Sequence, residues 1–165
     1  MTPAALIATF LGAGHLRPAP GTWGSLAALP VAWALHQLGG FPLLAAATVL
    51  AFALGWWATA EVTRGAADHD PSEVVIDEVA GQWLALWAIS WPAWAHGIPV
   101  LALWPGWVAA FLLFRLFDIW KPGPVGWADR RGDALGVMLD DVIAGALAAL
   151  GVAALAGLWH GVLGL

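Results

Sequence analysis

The chain has 165 residues, of which 61% are hydrophobic and only 10% charged, with a mean hydropathy of +0.80. Soluble domains carry roughly 45–50% apolar and about 25% charged residues, so a water-solvated surface is excluded and the bilayer is the expected solvent. A net charge of −5 and the absence of cysteine exclude nucleic-acid binding, disulfides and thiol nucleophiles.

Residues 3–14 are apolar but too short to cross a bilayer, and without a basic stretch before them no cleavable signal is expected. Residues 15–25 read as a Pro/Gly-rich loop. The apolar run Leu26–Leu38 follows and is broken at Gly39-Gly40-Phe41-Pro42; it is short for a crossing and is compatible with a tilted or re-entrant segment. Residues 43–60 read as a second helix. Asp70-Pro71-Ser72-Glu73 has the pattern of a capped helix start, which predicts a third helix from Pro71 to Trp94. Residues 98–118 predict a fourth helix, residues 121–133 a loop, and residues 135–159 the last helix.

The expected fold is therefore all-α: a single-domain polytopic membrane bundle of four to five transmembrane segments. All 6 Lys/Arg lie at Arg17, Arg64 and residues 115–131, in windows that five crossings place on one side. By the positive-inside rule that polar face is cytoplasmic. His36, His96 and His160 fall opposite, as interfacial polar groups. Tryptophans such as Trp56, Trp57, Trp91, Trp94, Trp104, Trp107, Trp120 and Trp159 stand near the ends of the apolar runs, as interfacial anchors do.

The chemistry is expected on the polar face. Asp77, Glu78, Asp118, Asp140 and Asp141 lie in or one turn inside apolar helices, where an ionised carboxylate is costly unless paired or metal-bound. They outnumber nearby cations, and carboxylate oxygens suit Mg²⁺. Arg115 can grip a phosphate bidentately, and Lys121 can add a point charge. Thr22 and Ser25, in a glycine-containing segment before a helix, offer further donors to an anion. A weak internal echo relates Asp77-Glu78-Val79-Ala80-Gly81 to Asp140-Asp141-Val142-Ile143-Ala144-Gly145. In each, an Asp precedes a Gly by four residues, on one helix face. There is no P-loop, G-x-S-x-G or H-E-x-x-H, and no clear nucleophile, so metal-activated water is the economical mechanism. Asp129 or another acid is the candidate proton carrier.

PGTWGSLAALP at 20–30, DPSEVVIDEVAGQW at 70–83, FRLFDIWKPGPV at 114–125 and GVMLDDVIAG at 136–145 together resemble the phosphatidylglycerophosphatase A family of bacterial membrane phosphatases. The family's small residue and Pro after the preceding Gly-x-Gly are offset here, where the chain reads Gly12-Ala13-Gly14-His15-Leu16-Arg17-Pro18, so His15 and Arg17 receive no role. The resemblance implies Mg²⁺-dependent hydrolysis of phosphatidylglycerophosphate to phosphatidylglycerol and phosphate, in phospholipid biosynthesis at the bacterial inner membrane, on its cytoplasmic side. By motif match it places Asp77, Glu78, Asp118, Asp140 and Asp141 in the site with Arg115 and Lys121, and Thr22 and Ser25 as a second tier. The roles expected from the chemistry of the side chains are metal ligation by the five acids, catalysis by Asp77, Glu78, Asp118, Asp141 and Arg115, and phosphate binding by Arg115, Lys121, Thr22 and Ser25. The phospholipid substrate stays in the bilayer. Alternatives are another lipid phosphomonoester, such as phosphatidic acid, or a cation-coupled transporter. The sequence leaves the oligomeric state and the number of metals open.

Overall fold

A computed structural model describes the backbone of residues 1–163 and the side chains of residues 1–159. His160, expected at the far interface, thus has its side chain outside the described residues. The fold is all-α, with helices α1 (Pro3–Ala8), α2 (Pro20–Val62), α3 (Ile76–Ala85), α4 (Trp87–His96), α5 (Trp104–Trp120), α6 (Pro124–Asp129) and α7 (Ala134–Leu163).

Helix α2 begins six residues before the predicted start. Pro20 occupies the first turn, where its missing N–H costs nothing. Gly21 and Gly24, read from the sequence as loop glycines, are helical and serve close packing: a Cβ at Gly24 would lie 2.7 Å from the Val75 Cβ. The segment from 20 to 38 is therefore a full helical arm. At Gly39 and Gly40 the backbone leaves helical geometry, with Gly40 at φ 64°, ψ −159°, a region essentially reserved for glycine. A Cβ there would also meet Trp94 at 2.2 Å.

The second arm folds back along the first. Val31 and Leu35 share an apolar groove with Ala47, Leu50, Ala51 and Leu54. Helices α3 and α4 stitch both arms: Trp83 Nε1 donates to the Ala28 carbonyl at 2.9 Å, and Trp87 Nε1 to Thr48 Oγ1 at 3.2 Å. Near the hairpin tip His36 Nδ1 and Ser90 Oγ lie 2.7 Å apart, so His36 has a protein partner.

The predicted helix from 71 to 94 is corrected in two ways. It starts at Ile76, and it is broken at Leu86 into two ten-residue helices. The Asp70–Glu73 cap pattern is not used as a cap: Asp70, Pro71, Ser72 and Glu73 form a turn, the Asp70 N–H bonds Asp68 Oδ1, and Ser72 Oγ meets Glu73. Tertiary contact overrides the local signal, because the Val75 N–H is taken by the Ala8 carbonyl at 2.8 Å. The fourth predicted helix begins as a 3₁₀ turn at Val100–Leu103 before α5. The predicted loop at 121–133 contains α6.

Among the described residues, three helical stretches are long and apolar enough to cross a membrane: Pro20–Val62, Val100–Trp120 and Ala134–Trp159. Their packing is inverted relative to a soluble domain. Ala28, Ala32, Ala58, Ala110, Ala144 and Ala148 are buried, whereas Leu112, Leu116, Ile119, Leu150, Leu155 and Leu158 face outward. Small residues inside let backbones approach, which is how helices associate when lipid is the solvent.

Candidate active site

Helices α3 and α7 touch backbone to backbone at one place. A Cβ on Gly145 would lie 2.2 Å from the Gly81 carbonyl oxygen, and one on Gly81 would lie 2.5 Å from the Asp141 carbonyl oxygen. One turn before each glycine stands an acidic pair. The crossing therefore sets Asp77-Glu78 beside Asp140-Asp141, and the internal echo in the sequence becomes two facing halves of one site.

The acids line a cleft of about 340 Å³ that also receives Arg115, Asp118 and Lys121 from the end of α5, Pro20 and Gly21 from α2, and Asp70 and Ser72 from the preceding turn. Asp77, Asp140 and Asp141 are buried, and the Glu78 side chain is 14% exposed. Asp77, Glu78 and Asp141 each bring a carboxylate oxygen within 4.8 Å of the others. Asp77 Oδ1, Glu78 Oε2 and Asp141 Oδ2 are buried without any protein hydrogen-bond partner. Orphaned carboxylate oxygens at such separation repel one another and have lost water, so a cation is the group that fits them.

The other two predicted acids are engaged differently. Asp118 Oδ2 lies 2.5 Å from Arg115 Nη1, which also stands 3.9 Å from Glu78 Oε1. Arg115 is held between α3 and its own helix, yet its Nε and Nη1 have no acceptor in hydrogen-bonding geometry. Asp140 Oδ2 binds Lys121 Nζ at 2.5 Å, and Asp140 Oδ1 accepts the Asp141 N–H at 3.0 Å. Asp129, the candidate proton carrier, binds the same ammonium at 2.6 Å. Burial works against the charge on Lys121, but the hydrogen bonds to Asp129 and Asp140 outweigh it and raise its pKa, so the ammonium is fixed as a cation.

The structure thus gathers Asp77, Glu78, Arg115, Asp118, Lys121, Asp140 and Asp141 around one cleft. It does not bring Thr22 or Ser25 to the cleft lining. Ser25 is fully buried, and its hydroxyl donates to the Gly21 carbonyl at 2.8 Å, one turn back on its own helix. What this segment presents is Gly21: a Cβ there would sit 2.1 Å from Glu78 Oε1 and 3.2 Å from Arg115 Nη1. In the sequence Gly21 belongs to a segment that suits an anion through hydroxyls and free backbone N–H groups; in the structure it is helical and lines the cleft through its missing side chain. Asp70 and Ser72, which the sequence offers only as part of a helix start, also line the cleft. Arg17 reaches the cleft's edge by donating to Ser72 Oγ at 3.2 Å.

The fold and the site define a class: an all-α protein with membrane-length helices and a buried acidic cluster able to hold a metal, in a cleft that two cationic side chains also line. Comparison with known proteins makes this specific. The sequence profile of the family described as Phosphatidylglycerophosphatase A matches residues 6–156. A Haemophilus influenzae protein named phosphatidylglycerophosphatase A is 37% identical over 156 residues, covering 94% of this chain and 90% of that protein. The Escherichia coli protein of the same name is 34% identical over 146 residues, covering 87% and 78%. A Bacteroides thetaiotaomicron protein named "Putative phosphatidylinositol-3-phosphatase" is 41% identical over 145 residues, covering 85% of each. No solved structure matches. The chain belongs to the phosphatidylglycerophosphatase A family, and its activity is that of a phosphoric monoester hydrolase dephosphorylating phosphatidylglycerophosphate.

Proposed function

We propose that Asp77, Glu78 and Asp141 hold Mg²⁺ and that the cleft above them receives the terminal phosphate of phosphatidylglycerophosphate. The observation that carries this reading is the set of three orphaned, buried carboxylate oxygens in a cleft flanked by Arg115 and Lys121. An all-carboxylate donor set favours a hard cation over zinc or copper. Once bound, such an ion offsets the acids' charge, polarises a phosphoryl oxygen and makes a nucleophile available from water at neutral pH.

The chain's own residues do the rest. Arg115, held by Asp118 at the cleft lining, offers its guanidinium charge to the phosphate oxygens, where charge builds in the transition state. Lys121, also in the cleft lining, adds its charge. Thr22 and Ser25 stay outside this set and act through the packing of α2. The lipid's acyl chains remain in the bilayer beside the apolar exterior of the bundle. The arrangement of the chain is four to five crossings, with the two arms of α2 as separate passes and α3–α4 together as a third. All Lys and Arg then lie at the site end, which supports a cytoplasmic active site in the bacterial inner membrane. The Bacteroides relative's name favours, as a second reading, activity on another lipid phosphomonoester.

Titration of Mn²⁺ into detergent-solubilised protein, followed by electron paramagnetic resonance, tests the site directly. Wild type binds the ion, whereas Asp77→Asn and Asp141→Asn bind it at least tenfold more weakly while remaining folded. Equal binding by both variants and wild type removes the metal assignment.

A further inference from the structure

Lys121 is bound in an unusual way for a surface cation. It ends α5 in the left-handed conformation, φ 49°, a backbone geometry uncommon for a residue with a side chain and typical of a helix C-terminus. Two close approaches surround this turn. A Cβ on Gly126 of α6 would lie 2.7 Å from the Lys121 carbonyl oxygen, and one on Gly136 of α7 would lie 2.8 Å from the Ala128 carbonyl oxygen. Glycines at both places let α6 press against the Lys121 backbone on one side and against α7 on the other. The bracket so formed delivers Asp129, the last residue of α6, to the ammonium that Asp140 already holds from α7.

We propose that Asp129 and Asp140 are positioning residues that hold Lys121 at the cleft rim for the substrate phosphate, and that Asp140 does not ligate the metal. The assignment rests on the metal and phosphate reading given above. Both oxygens of Asp140 are already engaged, one by Lys121 and one by the Asp141 N–H, and Asp140 lies outside the three-acid group. An ammonium has three donors, and two carboxylates take two. The third is left for the phosphate. The two acids also remove the flexibility that a four-carbon side chain would otherwise lose on binding substrate. The adjacent acids Asp140 and Asp141 thereby divide their work: one orients a cation of the protein, the other holds a cation from solution.

The test combines Mn²⁺ binding with steady-state kinetics on phosphatidylglycerophosphate in mixed micelles, using the full chain and checking each variant for a monodisperse elution profile. Asp129→Asn and Asp140→Asn are expected to bind Mn²⁺ within twofold of wild type. Their KM for lipid should rise about tenfold, with the larger part of the loss in KM and not in kcat. Asp129→Glu should recover most of the lost affinity. In a Lys121→Met background, Asp129→Asn should add less than twofold, because its partner is gone. Loss of Mn²⁺ binding in Asp140→Asn to the extent seen in Asp141→Asn overturns the assignment of Asp140. An unchanged KM in Asp129→Asn, or an undiminished further loss in the Lys121→Met background, overturns the positioning role. Should wild type itself bind no Mn²⁺, the metal reading fails; the KM change in Asp129→Asn and its dependence on Lys121 still decide the positioning role.

Discussion

Gly145→Ala should disable the enzyme from a position that touches neither substrate nor metal. The added Cβ would lie 2.2 Å from the Gly81 carbonyl oxygen, where ordinary contact begins at 3.4 Å. The obstacle is helix backbone and cannot rotate away, so α3 and α7 must part by about 1 Å at the crossing. Overpacking of this kind costs on the order of 1–3 kcal/mol of stability. The catalytic cost is larger, because the same crossing sets the distance between Asp77-Glu78 and Asp140-Asp141. Displacing reacting groups by about 1 Å costs on the order of 100-fold in rate. The matched control is Gly157→Ala on the same helix, where a Cβ meets nothing within 4 Å; there activity should be unchanged. The assay is initial-rate phosphate release from phosphatidylglycerophosphate by both variants, with Mn²⁺ affinity measured alongside. Gly145→Ala should lose about 100-fold in rate and bind the ion more weakly. Wild-type rate and metal affinity in Gly145→Ala would refute the view that this contact spaces the carboxylates.

Other outcomes follow from the same geometry. Gly21→Ala places a Cβ 2.1 Å from Glu78 Oε1, and since that carboxylate can swing aside the expected loss is milder, about tenfold in rate with weaker metal binding. Thr22→Ala, by contrast, should stay within about threefold of wild type in lipid KM, since Thr22 does not line the cleft; a tenfold rise would restore it as a phosphate ligand. Asp77→Asn or Asp141→Asn should abolish turnover in protein that still folds. Asp133 accepts the Gly136 N–H at 2.7 Å at the start of α7, so Asp133→Ala should cost about 1 kcal/mol of stability in a detergent melt. The hydrogen bonds from Arg131 and Gly136 hold the Asp133 pKa below its ordinary value. Its contribution is therefore present above about pH 4 and fades as the pH falls through the lowered value, and the gap between the two melts should narrow there. A gap that widens toward acid would contradict the cap.

The acids were legible in the sequence because charge is scarce in this chain. Asp77, Glu78, Asp118, Asp140 and Asp141 interrupt apolar helices, and no partner within the sequence accounts for all of them. Their convergence was also legible in outline, through the repeated Asp-to-Gly spacing that proved to be the α3–α7 crossing. What each acid does was not, since pairing depends on which side chain the crossing brings near. Asp118 found Arg115 and Asp140 found Lys121, leaving Asp77, Glu78 and Asp141 together. The helix boundaries failed where a residue had two meanings. Pro20, Gly21 and Gly24 have the composition of a turn, yet they start a helix that needs missing side chains for close approach. Asp70–Glu73 has the composition of a cap, yet the backbone it would cap is tied to Ala8. Helix α6 was hidden because Pro, Gly and two Arg surround it, and its reason for existing lies in contacts with Lys121 and α7.

Phosphate release from phosphatidylglycerophosphate by the purified protein, measured with Mg²⁺ and again after EDTA, tests the metal-centred site most directly. The account predicts release that stops on chelation and returns when Mg²⁺ is restored. Release that continues undiminished in EDTA would contradict it, leaving the substrate in place and the three carboxylates without their ion.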